Sequence, residues 1–273
     1  MFETRRPRTT FAIALEMVEL IYHSTVREVR KSHRHALIGL LLNIVQTVIF
    51  VGAFYLLFVL LGIRPAGIKG DFLLFMMSGV FLFMVHIKAL GAVFGSEGPA
   101  APMRNHRPLN TVVTITSAAL ASLYLQMLSM TVVLFLYHAI FKPVTIDDPV
   151  GALGMILLSW SSGAGIGMVL LAAKPWNPSF VSLLSLIIMR ANMVASGKMV
   201  VANSLGGTGF LMFGWNPLFH TIDQARGFVF LNYTPRFTSI EYPLYATLVL
   251  IMLGLLGEFF TRRRVSTSWT AKR

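Results

Sequence analysis

The sequence contains no cysteine. That removes disulfides, thiolate metal sites and a cysteine nucleophile from consideration. Charge is scarce as well: Asp, Glu, Lys and Arg make up 12% of 273 residues, about half the share usual in soluble domains. Acids are the rarest, 11 against 23 Lys and Arg, for a formal net charge of +12. So few charges cannot clothe a soluble domain of this size. A phosphate-binding loop is also missing. The Gly197-Lys198 pair has Asn192 where that motif needs its first glycine and Met199 where it needs Ser or Thr. There is no His-Glu-x-x-His zinc helix, and His33 and His35, two apart, do not share a helix face, so no metal site is read. No catalytic residue is assigned. His220 and Asp223 are one helical turn apart, a spacing that fits local pairing or capping better than an acid/base dyad. Integral-membrane lipid-modifying enzymes, the competing class, usually cluster acids or histidines at one membrane face, and here the acids are scattered. No signal-peptide pattern opens the chain, because the first apolar run of spanning length begins near Leu37.

What the chain does have is apolar sequence: 55% of it is hydrophobic, with a mean hydropathy of +0.70. These residues fall in blocks of about 20 or more, the length of a helix that crosses roughly 30 Å of hydrocarbon. The blocks are 37–61, 72–95, 111–141, 150–173, a fifth starting near Pro178, and 242–260. The expected fold is all-α: a polytopic membrane protein with six transmembrane helices. Residues 1–36 read as a cytoplasmic tail and amphipathic interface helix, 37–261 as the transmembrane domain and 262–273 as a basic cytoplasmic tail. Within 11–31, Phe11, Leu15, Val18, Tyr22, Val26 and Val29 recur at helical steps, while Glu16, Glu19, His23, Arg27 and Arg30 take the other side. Too polar to span, this helix belongs in the membrane interface.

Cation placement sets the expected orientation. With a cytoplasmic N-terminus, that side holds Arg5, Arg6, Arg8, Arg27, Arg30, Lys31, Arg34, Arg104, Arg107, Lys174, Arg262, Arg263, Arg264, Lys272 and Arg273. The other side holds Arg64, Lys69, Lys142, Arg226 and Arg236, so the bias is fifteen to five. Both termini are therefore expected in the cytoplasm.

Residues 180–233 do not read as a plain span. Arg190-Ala191-Asn192, Ser196-Gly197-Lys198 and Gly206-Gly207-Thr208-Gly209 break the apolar sequence into pieces too short to cross. A helix followed by a re-entrant hairpin fits, since irregular backbone at membrane depth needs protein or water against it. An ordinary span followed by a long external loop is the plainer alternative. Cations at depth are costly and mark paths or partners. Arg190 lies about 15 Å past Phe180 along a helix, near the midplane. Lys88, nearer a helix end, can snorkel, and Lys198 falls at the break, near the outer surface. Arg190, Lys198, Lys88 and Asn216 are the substrate-path candidates. Asn43 and Gln46 either line a path or bond between helices, and Gly163-x-x-x-Gly167 reads as a close-packing site.

Arg27-Glu28-Val29-Arg30 ahead of Leu37-Ile38-Gly39, the Ser196-Gly197 break, and Trp215-Asn216-Pro217-Leu218-Phe219-His220 with downstream Arg226 occur in that order across most of the chain. In this order and topology the chain resembles the type-2 ABC exporter permeases, in the branch that exports capsular polysaccharide and related lipid-linked glycans. Drug and lipid exporters of the same superfamily are its nearest rivals. The resemblance implies a homodimer paired with a separate nucleotide-binding ATPase subunit that carries ATP and Mg, with no cofactor on this chain and no nucleic acid. It extends to periplasmic and outer-membrane export proteins as further partners. It also implies that the N-terminal helix, with Tyr22, Arg27 and Arg30, gates access from the cytoplasmic leaflet. The loop 96–110, with Glu97, Arg104 and Arg107, then touches the ATPase.

Overall fold

A computed structural model describes residues 10–31, 36–62, 71–96 and 111–270, with side chains described from 11 to 261 except at 12, 13, 31, 36, 37 and 208. Among these, all regular structure is helical: α1 (Thr10–Lys31), α2 (Ala36–Leu61), α3 (Phe72–Phe94), α4 (Thr111–Ile140), α5 (Pro149–Ala173), α6 (Pro178–Ala195), α7 (Gly207–Phe213), α8 (Pro217–Val229) and α9 (Glu241–Thr270). Six of them, α2 to α6 and α9, are long and apolar enough to cross a membrane. The chain is therefore a helical protein built to span a membrane several times.

Local chemistry sets several starts. Asp148-Pro149, Asn177-Pro178 and Asn216-Pro217 each place an Asx side chain on free backbone N–H groups and a proline just inside the helix. Asp71 starts α3 in the same way, accepting from Leu73 N at 2.9 Å. Its second oxygen takes the Tyr137 hydroxyl from the end of α4, and Lys142 lies 3.6 Å away.

The helix directions follow from which residues meet. Ser159 Oγ donates to Leu82 O (2.9 Å), a Cβ on Gly163 would lie 2.2 Å from His86 O, and Gly167 faces Leu90 and Val93, so α3 and α5 run parallel. Gly165 against Leu250, Gly254 against Met168 and Gly257 against Ala172 make α5 and α9 parallel too. Phe58 meets Phe72 and Phe50 meets Phe83, so α2 runs against α3. The starts of α2 and α4 therefore share one face with the ends of α3, α5 and α9. Asp71, Lys142 and Asp148 lie at the opposite face. Gly163 and Gly167 act as a close-packing pair: each admits α3 backbone where a side chain would stand.

α3 is the axis: 83% of its most apolar stretch is buried, against 17% for α6 and for α9. Its core partners are α2, α4, α5 and α8, which pack around Met77–Val85. α1 lies on α4, where Ser117 Oγ donates to Ile21 O (3.4 Å) and Ser24 is buried.

α6 ends early. Asn216, at the start of α8, donates to Asn192 Oδ1 (2.8 Å) and Ala195 O (3.0 Å) in its last turn. From there α8 runs toward the opposite face, where Asp148 N donates to Phe228 O at 2.8 Å. Between them the chain passes a short 3-10 turn at Ala202–Ser204 and then α7.

Candidate functional site

A cavity of about 660 Å³ lies among α1, α2, α3, α4 and α6. Glu28, Gly39 and Ala92 are near one end, and Phe50, Phe83 and Met193 are at the other. Apolar walls dominate, yet the polar groups inside are specific: Lys88, Arg190, Asn43, Gln46 and Gln126. Lys88 Nζ donates to Gln46 Oε1 at 2.7 Å across α2 and α3. Asn43 Nδ2 reaches Gln126 Oε1 (3.1 Å) and Ser129 Oγ (3.0 Å) on α4. Gln126 Nε2 is buried with no partner among the described residues. Arg190 is exposed on α6 and makes no hydrogen bond or ion pair with a described residue. Two cations and three amides thus share one concave volume with Ser122 and, near one end, Glu28; the cation-and-amide part is a set of donors suited to an anionic group flanked by hydroxyls.

Of the four path candidates, Lys88 and Arg190 line this cavity, whereas Lys198 and Asn216 do not. Asn216 is spent on the joint between α6 and α8, with its own Oδ1 accepting from Leu218 N (3.0 Å). Lys198 was expected near the outer surface. Instead its Nζ lies 3.7 Å from the ring centroid of Phe83, the central residue of α3. It reaches that depth because α6 stops early and Gly197, at φ +63°, turns the chain inward. A Cβ on Gly197 would also strike the Phe219 ring at 2.3 Å. Tyr22, Arg27 and Arg30 are exposed on α1. Glu97, Arg104 and Arg107 lie outside the described residues.

Behind the cavity floor, Arg226 organises the broken segment. It is fully buried, stacked 4.0 Å from the Phe75 ring centroid. Its guanidinium donates to Val200 O (2.7 Å) and to Lys198 O. Burial pushes its pKa down to about 10, opposed by Asp223 and Tyr233, so it stays cationic at neutral pH. Asp223 accepts from the Tyr233 hydroxyl and from Thr238 Oγ1 (2.8 Å). Burial first, and then that bond to Asp223, holds the Tyr233 hydroxyl well above the ordinary tyrosine range. The His220–Asp223 pair is therefore not a dyad. His220 bonds Gly214 O (2.9 Å) and Ser239 N (3.2 Å) instead.

Sequence reasoning missed Gln126, whose signal was a single amide in a 30-residue apolar helix. It also counted Arg226 as an external loop cation. Compared with models of known families and with curated proteins, the chain finds no match.

Proposed function

We propose that the chain is the transmembrane permease subunit of an ATP-driven ABC exporter, moving capsular polysaccharide or a related lipid-linked glycan out across the bacterial inner membrane. The observation that carries this reading is the cavity, in which Lys88 and Arg190 stand among Asn43, Gln46 and Gln126. Its Glu28 and Gly39 end lies on the face that holds the start of α2 and the end of α9, the face given the cation excess by sequence. A cation pair attracts the phosphate or carboxylate of such a substrate, and the amides suit sugar hydroxyls. In this reading α1 lies in the cytoplasmic interface, with Phe11, Leu15, Val18 and Tyr22 toward lipid, and gates the cavity mouth. The α7–α8 pair is a re-entrant hairpin from the outer side. Both termini are cytoplasmic, two copies form the pathway, and a separate ATPase docks on the loop 96–110 through Glu97, Arg104 and Arg107.

The test is affinity purification of the tagged full chain from native membranes. A phosphate-loop ATPase should accompany it, and nucleotide hydrolysis should appear in the complex and be absent from the chain alone. Hydrolysis by the verified pure chain, or purification without any ATPase while surface glycan export continues in the same cells, overturns the proposal.

A further inference from the structure

One aromatic ring, Phe83, touches both the cavity and Lys198. Phe83 lines the cavity, and the Lys198 ammonium sits over its ring, 3.7 Å from the centroid. Met193 also lines the cavity, and its carbonyl accepts the one hydrogen bond that ammonium makes among the described residues, at 2.5 Å. Phe54 closes a further side at 4.9 Å, and Phe50 stacks on Phe83 with centroids 6.1 Å apart. An ammonium has three N–H donors, so two are left for the rings of Phe83 and Phe54. The backbone that delivers it is fixed from behind: Arg226 holds the carbonyls of Lys198 and Val200, and Gly79 leaves room for the Lys198 carbonyl. The side chain is thus a pinned amine whose cage is made of replaceable contacts, and burial pushes its pKa down to about 7, where an approaching anion favours the protonated form. Its plainer role, a cation at the C-terminal end of α6, accounts for the bond to Met193. It does not account for the shared wall.

We propose that Lys198 is a second, occluded anion station, separated by the Phe83 ring from the open Lys88/Arg190 cavity and reached by a phosphate- or carboxylate-bearing ligand when that ring moves. The first station is an open cavity, and the second replaces ring faces with anionic oxygens once the partition swings aside. An anion passing inward therefore exchanges one cationic site for another without a bare step between them. This inference rests on reading the cavity as a path, but its test needs neither ATPase nor export, so the two fail separately.

The experiment uses the full chain in phosphatidylcholine nanodiscs, inorganic pyrophosphate as the probe, and a water-soluble acetylating ester with peptide mass spectrometry as the readout. In the parent protein Lys88 should react at least about tenfold faster than Lys198. Phe83→Ala should raise Lys198 acetylation about tenfold, and excess pyrophosphate should suppress that gain. Pyrophosphate should also bind Phe83→Ala more tightly than the parent, and adding Lys198→Gln should cancel the difference. Phe83→Leu, which keeps bulk and removes the π face, should give the same order of effects and serves if Phe83→Ala does not fold. The proposal is overturned if Lys198 of the parent reacts as fast as Lys88. It is equally overturned if pyrophosphate fails to protect Lys198 in either Phe83 variant, or if Lys198→Gln leaves the affinity gain in place.

Discussion

Gly79 on α3 and Lys198 beyond α6 share one space: a Cβ on Gly79 would lie 2.5 Å from the Lys198 carbonyl oxygen and 2.8 Å from the Arg226 guanidinium. The carbonyl is backbone and cannot rotate away. Gly79→Ala should therefore displace the broken segment, at a cost on the order of 1–3 kcal/mol typical of overpacking. Thermal unfolding in detergent, compared with Gly52→Ala, reads the effect, since a Cβ on Gly52 meets nothing within 4 Å. Equal stability of the two variants refutes the shared-space argument.

Arg226 does its work through a planar fork that Lys lacks. Arg226→Met strands the buried carbonyl of Lys198 and the part-buried one of Val200 and removes the cation beside Asp223, and should cost roughly 3–5 kcal/mol, as loss of one member of a buried charged set does. Arg226→Lys should fall between Met and the parent. Limited proteolysis within 198–206 should follow the same order. Cleavage rates that rank otherwise count against Arg226 as the pin of this segment.

His220 gives a pH dependence of known sign. Burial lowers its pKa below the ordinary value of 6.5, only partly opposed by Gly214 O, Asp223 and the Ser239 contact. Around pH 6.5 the unfolded chain thus binds more protons than the folded one, so stability falls as pH drops through that value and below it. Protonation also sets a second N–H against the Ser239 N–H. Thermal stability between pH 7.5 and about 5 should decline in the parent and decline less in His220→Gln. Identical pH profiles would remove His220 from this role.

How much of this was legible beforehand depends on the kind of signal. The apolar blocks mark the spans to within a residue or two, and the Asx-Pro pairs that start α5 and α6 are the local chemistry that fixes two of those boundaries. Gly163 and Gly167 announced a close contact through spacing alone. The centrality of α3 was not legible: every block is apolar, and hydropathy does not separate lipid-facing from protein-facing surface. The depth of Lys198 was misjudged for a related reason. Counting along the chain from Pro178 puts the break at Lys198 near the far surface, and it does not show that the Gly197 turn and the Asn192–Asn216 amide pair, 24 positions apart, fold the segment back against Phe83.

Arg190 separates charge from geometry in the proposed transport. If the cavity takes an anionic group, Arg190→Lys should retain partial export and Arg190→Gln should abolish it, with both proteins folded to the same extent. Lys88→Gln should weaken export more than Gln46→Ala, which leaves the cation in place. Normal export by Arg190→Gln is incompatible with an anion path through this cavity.

Orientation can be checked without any substrate. Reporter fusions after Arg273 should report cytoplasm, and insertions near Asp147 the opposite side, as the cation bias requires. An external signal from the C-terminal fusion would reverse the cavity mouth and the proposed direction of loading.

The joint between α6 and α8 also bears on how the chain enters a bilayer. α8 is 13 residues long, about 20 Å, and carries both Asp223 and Arg226, so hydrocarbon rejects it as an independent segment. Its charges find their partners on the chain around it: Phe75 on α3, the carbonyls of Lys198 and Val200, the Tyr233 hydroxyl and Thr238 Oγ1. The insertion machinery therefore cannot sort this segment by hydrophobicity as it emerges. Already placed helices serve as its solvent, which puts its settling after the translation of α3 and α5 and makes it the step of biogenesis most sensitive to a cavity or a clash in either of them.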